Sequence, residues 1–355
     1  MILILKSKSL SVTLEKFFIF FYGFSFLFVR HEPAIFDVIS AFLFVVYYKK
    51  ILILFKNPFI IFFFISQLLS FFLELLLIGT FYWSLISIYL FFLMTIFINF
   101  GKKNLIIVFI LGAFFSATLT FFSYFAFPEK VIYGEGRLIG FFKDPNVLGP
   151  TLLGLGFLSL KFFKFLSLVF IITGLLSLSR ATIIASIFAY LLKWILDSSF
   201  FIRVFTFSGL ILIAIYFYEA TNYIFNEIGR GGLINPYDYD RLRNWFELAS
   251  IWFENGYALG PGWSEINGYA VHSTYLRFLF EQGFFSLCAF LALVFYALFK
   301  ARTCIWTFVA LVFVLVNATF IDGTHWRILF MLIGVALSVP QYYYPRNLAG
   351  ASFTQ

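Results

Sequence analysis

Charge is what this chain has least of. Asp, Glu, Lys and Arg together make up 12% of the residues, while 62% are hydrophobic and the mean hydropathy is +0.97. A soluble chain of 355 residues cannot hide that much apolar surface, so an ordinary water-soluble fold is excluded. Cysteine is nearly absent. Cys288 and Cys304 lie in or at the inner end of late apolar runs, and two such residues suggest neither a disulfide framework nor a metal cluster. The short alternating segments of a β-barrel are missing too. No small-residue cleavage site follows the first apolar run, so that run is expected to remain as a helix rather than leave as a signal peptide. The chain also lacks the GxxxxGK[ST] phosphate loop, the HExxH zinc motif and the GxSxG elbow.

What is there in plenty is apolar sequence in long runs. Each crossing of about 30 Å of hydrocarbon needs about 20 residues, and the runs predict an all-α polytopic transmembrane helix bundle of about twelve spans. They fall at about 10–29, 34–48, 58–78, 81–100, 104–127, 146–160, 165–178, 181–196, 201–218, 271–299, 303–321 and 326–340. Several are short for a full crossing, which leaves room for a re-entrant hairpin. The 57 phenylalanines suit lipid-facing positions and point to no activity.

Lysine and arginine orient the bundle. With a cytoplasmic N-terminus, Lys6, Lys8, Lys16, Lys49, Lys50, Lys56, Lys102, Lys103, Lys161, Lys164, Lys193, Arg203, Lys300, Arg302 and Arg346 all fall inside. The net charge of +8 is thus spread over inner loops, which argues against nucleic acid as a partner. The C-terminus is expected inside as well. Most arginines fall on the other side: Arg30, Arg137, Arg180, Arg230, Arg241, Arg243 and Arg327, with Arg277 a little deeper. Topology alone would select either cation. Arginine offers a planar fork that grips phosphate oxygens and never loses its charge. The outer arginines therefore read either as ligands for an anion or as members of structural ion pairs.

Three outer stretches carry chemistry. In 137–146, Asp144 can cap a helix that Pro145 opens, and Arg137 and Lys143 stand beside its positive end. At 178–182, Ser179 can cap the next helix. Arg180 sits in its first turn, where the helix dipole disfavours a cation. The long polar interval 219–282 is read as an outer loop over about 219–271. Within it, 241–254 reads as an amphipathic helix with Leu242, Trp245, Phe246, Ala249, Trp252 and Phe253 as its apolar stripe. Arg243 can pair with Glu247, and Arg277 with Glu281, in each case four residues apart. His272 precedes the next apolar run and has an unperturbed pKa suited to proton transfer, or it is an interfacial hydrogen-bonding residue. Asp37 and Glu74 fall within spans, where a charge is costly.

In sequence order, four pieces resemble the bacterial O-antigen ligase and O-antigen polymerase superfamily. They are Arg137-Leu-Ile-Gly140-Phe-Phe-Lys143-Asp144-Pro145-Asn146; Ser179-Arg180 opening a helix; Arg241-Leu-Arg243-Asn-Trp245 leading to Gly260-Pro-Gly262; and His272-Ser-Thr-Tyr275-Leu276 leading to Glu281-Gln-Gly283. The likeness covers roughly 130–300. It implies N-terminal transmembrane helices over 1–127, a ligase-like catalytic region over 128–300, and C-terminal helices with a cytoplasmic tail over 301–355. It also implies a multi-pass inner-membrane glycosyltransferase acting at the periplasmic face, without metal or other cofactor. The donor would be a glycan on undecaprenyl diphosphate. The acceptor would be a sugar hydroxyl on lipid A–core or on a second lipid-linked glycan, in lipopolysaccharide O-antigen or surface polysaccharide synthesis. By the same likeness His272, Arg241 and Arg180 would be catalytic, and Arg137, Arg243 and Lys143 would bind substrate. The ligase and polymerase branches stay open.

Two other readings compete. A metal-dependent polyprenyl-phosphate-sugar transferase would use Glu32 with Asp238 or Asp240. A polysaccharide flippase or exporter would show internal repeats and mid-membrane charges; no convincing repeat is present.

Overall fold

A computed structural model describes residues 2–30, 34–77, 79, 82–102, 105–134, 136–142, 144–198, 236–254, 271–321 and 326–338, and at 2–12, 102, 236–242 and 251 the backbone alone. Those residues are almost entirely helical. The helices are α1 (Ile2–Ser25), α2 (Ile35–Leu54), α3 (Pro58–Leu77), α4 (Tyr82–Lys102), α5 (Ile106–Ala126), the single turn α6 (Pro128–Val131), α7 (Pro145–Ser159), α8 (Lys164–Leu175) and α9 (Arg180–Asp197). Then come α10 (Pro236–Glu254), α11 (Thr274–Gln282), α12 (Phe284–Ala301), α13 (Ile305–Phe320) and α14 (Arg327–Ser338). Between α6 and α7 a two-residue hairpin pairs β1 (Ile132–Tyr133) with β2 (Arg137–Leu138), antiparallel.

Pro58–Leu77, Tyr82–Gly101, Ile106–Ala126 and Phe284–Ala301 are long and apolar enough to cross a membrane. Lys164–Leu175, Ile305–Phe320 and Arg327–Ser338 are apolar but shorter. The expected span 201–218 lies outside the described residues. The expected span 271–299 is corrected. It is two helices, broken at Gly283, whose φ of +88° is costly for any residue with a Cβ.

Small residues set the closest crossings, as they must where lipid supplies no hydrophobic drive between helices. A Cβ on Gly23 would lie 2.0 Å from the Phe109 carbonyl oxygen, and one on Gly112 would lie 1.9 Å from that of Phe20. These reciprocal glycines lock α1 against α5. Gly334 does the same for α14 on α4, where its Cβ would meet the Met94 carbonyl at 2.4 Å. Aromatic rings fill the seams. Tyr22 stacks on Phe36 at 4.3 Å and meets Phe109 edge-on at 5.6 Å, each contact worth about 0.5–1.5 kcal/mol beyond its buried area. Helix α7 is buried nearly all round, from Pro145 through Ser159. It is the central post of the bundle, packed on α8 and α13.

Among the described residues, arginines gather mainly at one end of the bundle. One end gathers the last residues of α1, α8 and α13 and the first of α2, α4, α7, α9 and α14. Val29 N–H donates to Phe141 O at 3.1 Å, Leu138 N–H to Leu176 O at 2.9 Å, and Thr182 to Asn317 at 3.3 Å. Arg30, Arg137, Arg180, Arg277 and Arg327 lie at this end. At the other end Lys300 lies over Tyr296, Tyr296 accepts from Asn57, and Lys193 lies over Trp306.

Helix α10 starts at Pro236, five residues before the expected start at 241. Its stripe is corrected as well. Leu248, outside the expected set, is fully buried with Val271 and Phe280, and Trp252, Leu276 and Leu279 pack around them. Phe246 and Phe253 are instead 75% and 76% exposed. The helix has two apolar edges, and only one meets the bundle.

Candidate functional site

A cavity of about 780 Å3 opens at the arginine-bearing end, between α1, α2, α4, α7 and α14. That falls within the roughly 300–1,000 Å3 of small-ligand sites. Its wall is mostly apolar and aromatic: Phe26, Tyr82, Trp83, Tyr89 and Phe142, with Asp37, Asp144, Thr151 and Arg327 as polar members.

Asp37 and Arg327 are joined by a fork. Arg327 Nε donates to Asp37 Oδ1 at 2.8 Å and a terminal nitrogen donates to Oδ2 at 2.6 Å. Tyr89 O–H donates to Oδ1 at 2.5 Å, and Ala34 N–H to Oδ2 at 3.2 Å. The first turn of α2 explains why a carboxylate is tolerated there. Asp37 is the third helical residue, where a carboxylate reaches back to the N-cap amide and meets the positive end of the helix. Its place in an expected span is therefore a helix entrance. Glu74 is settled in a similar way. Its carboxylate accepts from Ser84 Oγ at 2.6 Å and from Ser84 N–H at 3.3 Å, satisfying a free amide in the first turn of α4.

The 127–146 segment forms one corner of the site. Asp144 caps α7 as expected, accepting from Asn146 N–H at 2.7 Å, and Pro145 occupies the first helical position. Arg137, on β2, is buried. Its Nε donates to Ser177 O at 3.1 Å and a terminal nitrogen to Asn146 Oδ1 at 2.7 Å. One side chain thus ties the hairpin to the α8–α9 turn and to the start of α7. Arg180 opens α9, partly exposed, three residues beyond Ser177. The turn before it is strained: Leu178 has φ of +48°, an uncommon conformation for a residue with a side chain. The expected Ser179 cap does not form. Ser179 Oγ is buried without a hydrogen-bond partner, and Ser177 Oγ likewise. Ser177 Oγ instead packs against Gly149, where a Cβ would come within 2.4 Å of it.

The His272 segment is linked to the cavity residue Trp83 through Arg277. Arg277 lies over the Trp83 ring at 4.1 Å and donates to Val271 O at 3.1 Å, the carbonyl just before His272. It also pairs with Glu281 at 3.2 Å, so the expected neutralising pair forms. His272 is half-buried in the extended segment before α11. Thr274 donates to Ile321 O at 3.3 Å and Tyr275 O–H to Leu315 O at 3.0 Å, fixing that segment on α13.

The expected site residues therefore divide. Arg137 and the Arg180 turn meet through Ser177 O, and the His272 segment is held at the same end of the bundle by Ile321 O; none of the three residues lines the cavity. Arg243 is exposed on α10, 3.8 Å from Glu247, the intrahelical pair expected of it. The Arg241 side chain and Lys143 lie outside the described residues, as do Glu32 and the side chains of Asp238 and Asp240. The outer arginines are also more often paired than an anion site alone would require: Arg243, Arg277 and Arg327 each face a carboxylate. Trp83, Tyr89 and Asp144 were not singled out as cavity residues by sequence. Asp37 and Arg327 were each notable, but 290 positions separate them. The only available signal was the general demand of a charge near the membrane for a partner. No family model, no curated protein and no solved structure matches the chain.

Proposed function

We propose that this chain is an inner-membrane glycosyltransferase of the O-antigen ligase or polymerase type. It moves a glycan from undecaprenyl diphosphate to a sugar hydroxyl at the periplasmic face, with about twelve spans holding the site there. The observation that carries this reading is the gathering of three segments at one end of the bundle. Arg137 ties its hairpin to the Arg180 turn through Ser177 O and to the start of α7 through Asn146, and Thr274 fixes the His272 segment at the same end through Ile321 O.

In the reaction, the bond between the anomeric carbon and the diphosphate oxygen breaks. The diphosphate leaves with the electron pair. The acceptor oxygen forms the new bond and gives up its proton. Negative charge builds on the leaving diphosphate, and fixed guanidinium groups stabilise that change. Arg180, held by the strained turn, and Arg241 take this role. Lys143, next in sequence to the Asp144 cap of α7, adds a third cation. His272 accepts the proton or orients the hydroxyl. Arg137 acts mainly by position, because its guanidinium already binds Ser177 and Asn146. Arg243 is exposed, and its loose pair with Glu247 can yield to a phosphate.

The test is the surface-polysaccharide profile of a deletion strain complemented with wild-type or Arg180→Lys protein. Polymer kept on its lipid carrier and missing from lipid A–core identifies a ligase. Lipid A–core carrying a single repeat identifies a polymerase. An unchanged profile refutes the reading. Arg180→Lys keeps the charge and loses the fork, so it should fail to restore the profile.

A further inference from the structure

The cavity is poorly built for a diphosphate. Among the described residues of its wall, Arg327 is matched by Asp37, and Asp144 adds a second carboxylate, so those residues carry one net negative charge (Arg327 against Asp37 and Asp144). Arg137 and Arg180, the cations expected to hold phosphate, are not in that wall. The cavity is equally poorly built for hydrocarbon alone, since a prenyl or acyl chain would have to cover an ion pair and a tyrosine hydroxyl, which costs free energy.

A neutral polyol suits both halves of the wall. The C–H face of a sugar ring packs on aromatic rings, and Tyr82 and Trp83 supply adjacent rings with centroids 5.2 Å apart. Sugar hydroxyls donate to carboxylates and accept from guanidinium and hydroxyl groups. Asp144 uses Oδ1 to cap α7 and keeps lone pairs for another donor. Arg327 directs Nε and one terminal nitrogen at Asp37, and a guanidinium carries five N–H donors. Trp83 of the wall also carries Arg277 over its ring, and Arg277 donates to Val271 O, so the sugar seat and the His272 segment are linked through one side chain.

We infer that this cavity is the seat of an uncharged glycan, the acceptor sugar of the proposed transfer, bound by Tyr82, Trp83, Asp144 and Arg327. This rests on the transferase reading for the word acceptor, while the binding of a neutral sugar does not. The diphosphate of the donor sits outside this cavity, on the Arg180 side.

The experiment uses the full chain in nanodiscs with two probes. One is a neutral oligosaccharide from the outer core of the host strain, freed of phosphate, lipid and acidic sugars, followed by saturation-transfer NMR. The other is geranylgeranyl diphosphate. Tyr82→Ala removes an exposed ring, and Asp144→Asn keeps the helix cap while removing the charge. Each should weaken the oligosaccharide at least ~10-fold, or about 1.4 kcal/mol, Tyr82→Ala through lost ring packing and Asp144→Asn through a lost charge-assisted hydrogen bond, and leave geranylgeranyl diphosphate unchanged. Arg180→Ala should do the reverse. The inference falls if wild type does not bind the oligosaccharide, if both variants bind it as wild type does, or if geranylgeranyl diphosphate displaces it and is itself weakened by Tyr82→Ala. Oligosaccharide binding together with no binding of geranylgeranyl diphosphate supports the sugar seat and counts against the transferase. Each failure therefore shows separately.

Discussion

Arg327→Gln removes one half of the ion pair that joins the second helix to the last. The magnitude follows from the geometry. Breaking a buried pair costs about 3–5 kcal/mol because the remaining charge is stranded. An exposed pair is worth about 0–1 kcal/mol. Both side chains are 18% exposed, near the buried limit but open to the cavity, which places the single mutant at about 3 kcal/mol. Asp37 keeps the Tyr89 hydroxyl and the Ala34 amide, two donors that soften the loss. Asp37→Asn alone strands the guanidinium and should cost a similar amount. The double variant leaves two neutral amides and no stranded charge. It should therefore be destabilised by less than the sum of the singles, with a coupling of about 2–3 kcal/mol. Detergent-titrated unfolding of the purified protein, followed by tryptophan fluorescence, measures all four corners of the cycle. If the double variant equals the sum of the singles within about 0.5 kcal/mol, the pair is uncoupled and the account of α2 and α14 is wrong.

Gly23→Val and Gly112→Val should each cost about 1–3 kcal/mol or abolish accumulation, because the new side chain meets backbone across the α1–α5 crossing. Gly134→Ala, with nothing within 4 Å of the added carbon, should accumulate as wild type does; immunoblots of membrane fractions compare them. Asp144→Ala should lose about 1 kcal/mol of stability with the cap, and Asp144→Asn should lose little of it, as read by thermal unfolding in detergent. Arg243→Ala should change stability by less than about 0.5 kcal/mol, since both partners of its pair are at least half exposed. A larger loss in the same thermal assay would mean that Arg243 binds the bundle through something other than Glu247.

The most legible parts of the chain were those decided by local chemistry. Asp144 and Pro145 were read as a capped helix start, and they form one, because the cap lies within two residues of the amide it satisfies. Arg243–Glu247 and Arg277–Glu281 were read from the spacing of one helical turn. Legibility failed where a side chain had a choice of distant partners. Ser179 has the right type and place for a cap, yet its hydroxyl is buried elsewhere. The stripe of α10 was read as one face, but periodicity does not tell an apolar edge that meets protein from one that does not. Leu248 meets Val271 and Phe280, while Phe246 and Phe253 face outward.

By itself the sequence determined the helical, membrane-class character of the chain, because hydropathy acts locally and adds along a chain. It also located the capped start of α7 and the ion pairs one helical turn apart. Tertiary structure alone decided which segments meet. The Asp37–Arg327 fork spans 290 positions, and Arg137 reaches Ser177 across 40. The cavity exists only because α1, α2, α4, α7 and α14 place their ends around one space. Such contacts depend on how close two backbones come, and here that distance is fixed by glycines facing carbonyl oxygens on other helices. No periodicity within a helix records which helix will lie against it.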